Sequence, residues 1–166
     1  MRNLLIASLV LAASASAGAA PPFPAGVDIP QNCEQFVDPQ MPDSLQGAEV
    51  VSVASCLAST RLRATQLGTD AEANRSALAA AIAPSVAMLE QVIADAPPAI
   101  RHQAALIESD LLDSCAVRLR ASIPAPSVLT GAPLQSYLAA HLAIEPLVQP
   151  WLNRGETVVQ RVAAAD

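Results

Sequence analysis

The chain has 166 residues, a formal charge of −6, no lysine and nine arginines, and aromatic side chains make up only 2% of it. Such an acidic balance disfavours nucleic acid and anionic membrane surfaces, because phosphate neutralisation needs clustered basic residues. With only Phe23, Phe36, Tyr137 and Trp151 as aromatics, a sugar-stacking platform is equally hard to build, and the core has to come from Ala, Leu, Val and Ile.

Met1-Arg2-Asn3, an apolar run from Leu4 to Ala13 and the small residues Ser14 to Ala19 follow one another in the order of a cleavable secretory signal. One positive charge, roughly ten apolar residues and a small-residue cleavage site are its three parts. Cleavage after Ala17 or after Ala19 fits equally well, so residues 1–19 are expected to leave and the charge to become −7 once Arg2 goes with them. The run is shorter than the roughly 20 residues that span a bilayer. The expected location is therefore periplasmic or extracellular, with no transmembrane anchor in the mature protein.

Residues 20–43 hold Pro21, Pro22, Pro24, Pro30, Pro39 and Pro42, a density that blocks helix and central strand and predicts an irregular segment. A helical domain over 44–166 should follow, opened by Asp43 or Ser44 as a cap. Its first helix carries Leu45, Val50, Val53, Leu57 and Leu67 and is expected to end at Gly68. Thr69-Asp70-Ala71-Glu72 has capping-box spacing, with Thr69 as the cap of a second helix. Leu78, Ile82, Ser85, Leu89 and Val92 then step by four and three residues as a bundle seam. Pro84 is expected to kink or break this helix. The apolar stretch Ala77 to Leu89 around it reads as core, too short and interrupted to span a membrane.

Pro97-Pro98 ends the second helix and can open a third, whose Ile100, Ala104, Ile107, Leu111, Leu112, Cys115 and Leu119 should face inward and whose His102, Ser109, Asp110, Asp113 and Arg120 should face out. Residues 122–132 turn irregular. A fourth helical stretch should begin near Pro133, run through Leu134, Leu138 and Leu142, and be kinked or split at Pro146 and Pro150 before Trp151 to Ala165. Four helices with short connections and no sustained two-residue alternation predict an all-α fold, an antiparallel up-down-up-down four-helix bundle preceded by the Pro-rich irregular segment.

Three cysteines in an oxidising compartment allow at most one bridge. At helical spacing Cys56 shares a face with Ser52, Ser55, Ser59 and Arg63, a polar stripe, whereas Cys115 lies among Leu111, Leu112 and Leu119. A bridge between Cys33 and Cys56 with Cys115 free and buried is favoured, and Cys33 to Cys115 is the alternative. The absence of any Cys-x-x-Cys rules out a thioredoxin-like pair and c-type haem attachment.

No constellation for chemistry stands out. His141 and Glu145 are four residues apart, but the Glu-x-x-His of metal-binding bundles does not occur, so no metal and no cofactor is expected. Glu108, Asp110 and Asp113 form the densest acidic group, close to Arg118 and Arg120; Asp110 and Asp113 fall on the solvated arc, which favours a charged surface over acid–base chemistry, and the pairs Arg61/Arg63 and Arg118/Arg120 read as solvated helix faces. Serines are many, yet no Gly-x-Ser-x-Gly is present. Trp151 reads as a core plug rather than a partner anchor. The expectation is an exported, non-catalytic bundle whose partner is a protein or a small apolar ligand. A small-ligand carrier, or a thiol-dependent enzyme using Cys115 or His141, is the alternative.

Overall fold

The computed structural model describes residues 33, 47–127 and 130–165. The expected signal and, apart from Cys33, the Pro-rich segment lie outside these residues. Among the described residues the protein is all-helical, with α1 (Gly47–Ala64), α2 (Ala71–Asp95), α3 (Pro98–Ala121) and α4 (Gly131–Ala163) and no strand. α4 packs most extensively on α3; α2 packs on both α1 and α3, while α2 and α4 meet only sparsely.

α1 stops at Ala64, four residues short of the expected Gly68, and Gly68 does not adopt the left-handed conformation that a glycine stop requires. Side chains end the helix instead. Thr65 Oγ1 donates to the Arg61 carbonyl, and Arg118 of α3 donates to the Thr65 carbonyl at 3.0 Å. The following turn is held by Asn74, buried in the first turns of α2, which donates to the Gly68 carbonyl at 2.9 Å and accepts from the Gly68 amide at 2.8 Å. Asn74→Ala leaves both backbone groups without this partner. It is expected to cost about 1–2 kcal/mol, read as a lower midpoint in urea.

The cap of α2 is Asp70, one residue later than the capping-box spacing suggested, and its Oδ1 accepts from the Ala73 amide at 2.9 Å. α2 runs unbroken through Pro84 for 25 residues, long and apolar enough to cross a membrane by length and composition. Its predicted seam, Leu78, Ile82, Ser85, Leu89 and Val92, is buried throughout. α4 likewise continues through Pro146 and Pro150 as one helix of 33 residues rather than two. A proline removes the donor to the carbonyl four residues earlier. Those carbonyls belong to Ala80, Leu142 and Pro146, all at exposed positions where water can satisfy them, so the helices persist.

α3 opens as expected, with Pro98 in its first turn, where a missing amide costs nothing. Ala104, Leu111, Leu112, Cys115 and Leu119 are buried, and Trp151 joins them in the core. α4 starts at Gly131, two residues before Pro133; Gly131 takes φ +62°, which a glycine adopts without strain. At Gly155 the backbone of α4 lies close on α3: a Cβ there would lie 2.9 Å from Ser109 Oγ. Gly155→Ala is expected to destabilise by about 1 kcal/mol, and Ser109→Ala should recover most of that in the double variant; additive losses in thermal melts would mean the two positions do not touch.

Candidate functional site

The polar groups of the helices concentrate in two places. The first joins α2, α3 and α4. Glu108 of α3 falls in step with Ala104, Leu111, Leu112 and Cys115, the apolar row of that helix, and is therefore carried inward until only 1% of it is exposed. Its Oε1 accepts from Arg154 Nε at 3.0 Å and lies 2.9 Å from Arg154 Nη2, while Oε2 is buried without a hydrogen-bond partner. Arg154 Nη2 also reaches Glu90 Oε1 of α2 at 2.6 Å. Burial pushes the Glu108 carboxyl above its ordinary range, more strongly than the Arg154 hydrogen bond and charge pull it back.

Glu90 and Arg154 rim a groove of about 280 Å³ between α2 and α4 that Ile82, Val86, Trp151 and Leu112 also line. Glu90 also borders a second cavity of about 290 Å³ with Arg101, Arg161, Ile93 and Val162. Two carboxylates in unlike surroundings beside a groove is the arrangement general acid–base chemistry uses. Here Glu108 is buried beneath its partner Arg154 and does not line the groove. What the cluster does as it stands is tie three helices together through one guanidinium.

The second place joins α3 to α4. Arg120 donates to both oxygens of Glu145, at 2.8 and 2.7 Å. The Arg120 hydrogen bond holds the Glu145 carboxyl below its ordinary range, and the Arg120 guanidinium is raised in return. The pair sits near the surface, where its net contribution is small. His141 does not join Glu145 in a hydrogen bond; its ring meets Tyr137 edge-on, centroids 4.4 Å apart. No group of three or more potential metal ligands forms among the described residues. Arg118 and Arg120, expected on a solvated face, are instead tied to the Thr65 carbonyl and to Glu145. Asp110 and Asp113 do lie exposed, and burial followed by repulsion from Asp113 raises the Asp110 carboxyl.

Cys33 and Cys56 form a disulfide, with Cα atoms 6.0 Å apart, and Cys115 is free and buried. No family model, curated protein or solved structure matches this chain. The polar stripe expected beside Cys56 is in fact mostly covered: Ser52 and Ser55 are buried, and Ser52 Oγ donates back to the Ala48 carbonyl. Cys33 itself is buried against α1, with its sulfur 3.7 Å from Thr60 Oγ1. Cys115 has its thiol pushed up to about 12 by burial, which Arg118 offsets only in part. A nucleophilic thiol needs the opposite shift.

Asn74, Glu90 and Arg154 carried no motif in the sequence. Glu108 did leave a trace, since a carboxylate at helical spacing with Ala104, Leu111 and Cys115 falls on an apolar row.

Proposed function

We propose that this chain is an exported, non-catalytic protein that folds as an antiparallel up-down-up-down four-helix bundle and acts by binding a partner protein. The observation that carries the binding reading is the first half of α4. There Leu138 and Leu142 are 51% and 73% exposed one turn apart, while from Ile144 onward the same helix buries Ile144, Val148, Trp151, Val158 and Val162. Two large apolar side chains exposed side by side on one helix are surface that a partner's apolar contact would cover.

The bundle connectivity is supported by which residues meet. Arg120 pairs with Glu145, and Glu108 with Arg154, so numbers fall along α3 as they rise along α4. A Cβ at Gly47, at the start of α1, would touch Ala96 beyond the end of α2 and Ile100 at the start of α3, whereas Arg118 near the end of α3 reaches Thr65 beyond the end of α1. Export is supported by the signal-like Met1 to Ala19 and by a disulfide, which an oxidising compartment favours. A non-catalytic role is supported by the sealed Glu108 and Cys115.

The test is made on protein recovered from the exported fraction with a photo-cross-linker at Leu142. The expected result is a chain beginning at residue 18 or 20 with one disulfide, joined to a discrete partner, while the same group at Asp113 traps none. A start at Met1 overturns export, and an uncoupled monomer at Leu142 overturns the binding reading. A second reading, a carrier of small apolar ligands, is favoured by the groove between α2 and α4, whose volume lies near the lower end for ligand pockets. Native mass spectrometry of the exported protein separates the two: a retained apolar molecule supports the carrier, and a bare chain counts against it.

A further inference from the structure

α2 and α4 touch sparsely, and at the groove between them the ion pair of Glu90 with Arg154 bridges the gap. The same guanidinium is the hydrogen-bond partner of Glu108, whose second oxygen has no donor. One residue along, the missing side chain of Gly155 lets α4 lie on Ser109 of α3. Glu108 is thus kept from water, 1% exposed, with Arg154 as its one hydrogen-bond partner.

We propose that Glu90, Arg154 and Glu108 form a proton-controlled latch over the groove between α2 and α4: with a proton on Glu108 the groove stays closed, and loss of that proton favours a state in which Arg154 and the surrounding turns of α4 release.

The direction follows from linkage. Closing strips water from the Glu108 carboxyl and leaves one oxygen unpaired, which favours its neutral form; opening returns it to water, so opening releases a proton. The charges acting on Glu108 are Arg154 and Arg161 of α4, which favour the ionised form, and Glu90 of α2, which opposes it; desolvation outweighs them. Above the ordinary carboxyl value of 4.5, where the open state is ionised and the closed state still protonated, the opening equilibrium rises by up to about tenfold per pH unit for one linked proton.

The test is hydrogen exchange of the full chain from about pH 4.5 to 8, with rates corrected for intrinsic chemistry, read over the α4 amides around Trp151 to Val158. Acrylamide quenching of Trp151, the single tryptophan and a wall of the groove, gives a second readout. In the wild type both opening and quenching should rise with pH. In Glu108→Gln they should stay at the low-pH level throughout, whereas Asp110→Asn, a carboxylate outside the latch, should keep the pH dependence. The same slope in wild type and Glu108→Gln overturns the latch, as does its loss in Asp110→Asn. Should Glu108→Gln not fold, carboxyl ¹³C titration of wild-type Glu108 decides. A midpoint above the ordinary range, at the pH where the rise in exchange levels off, supports the latch, and an ordinary midpoint overturns it.

Discussion

Arg154→Met is expected to lower the stability of the folded chain by about 3 kcal/mol at neutral pH, and by much less under acid conditions. The substitution leaves Glu108 buried with both oxygens unpartnered, and removing one member of a buried pair costs about 3–5 kcal/mol; the half-exposed position of Arg154 puts the loss at the lower end. A carboxyl whose folded value lies above its unfolded one stabilises the fold fully only below the unfolded value, and that contribution is lost as pH rises through the folded value. Lowering the pH should therefore restore the variant. Glu108→Gln, which has no charge to desolvate and leaves Arg154 paired with Glu90, should be at least as stable as the wild type at neutral pH. The double variant Arg154→Met with Glu108→Gln should regain most of the loss. Urea unfolding at neutral and acid pH measures all three. A pH-independent loss in Arg154→Met would mean that Arg154 stabilises the fold by packing its stem rather than by neutralising Glu108.

Replacing Cys33 and Cys56 together by serine is expected to cost about 3 kcal/mol, the loop-closure value for a bridge across a sequence separation of 23, and to lower Tm by about 10 °C. Changing both avoids an exchange reaction with Cys115. The loss should fall on α1, where Val53 and Leu57 are buried on the side of the helix that carries Cys56, outside the main core. Differential scanning calorimetry with and without reductant measures it. An unchanged Tm would show that the segment around Cys33 contributes nothing to holding α1.

The helices were legible because their signals are short-range. The seam from Leu78 to Val92, the proline opening of α3 and the isolation of Cys115 follow from periodicity and from what proline forbids. The misreadings share a cause as well. Gly68 and Thr69 looked like a stop and a cap, but the turn is held by Asn74 reaching back six residues, a contact made only after two helices have packed. Pro84, Pro146 and Pro150 were expected to kink or break their helices; none ends one, and the carbonyls they orphan belong to exposed positions, which local sequence does not state. The charged cluster was hidden for the same reason: Glu90, Glu108 and Arg154 lie on three helices, and only the row on which Glu108 falls hinted that one carboxylate goes inside.

Cys115 has a further use that follows from where it sits. It is wholly buried in α3, and with Cys33 and Cys56 joined it is the one sulfhydryl left to react. A labelling reagent can reach it only when the helices around it separate, so at reagent concentrations where labelling outpaces reclosing, the rate at which a thiol probe is consumed by the intact, oxidised protein is the rate of those openings. The chain thus carries its own unfolding clock. Read beside exchange over α4, that clock distinguishes a groove that parts locally from a domain that comes apart as a whole.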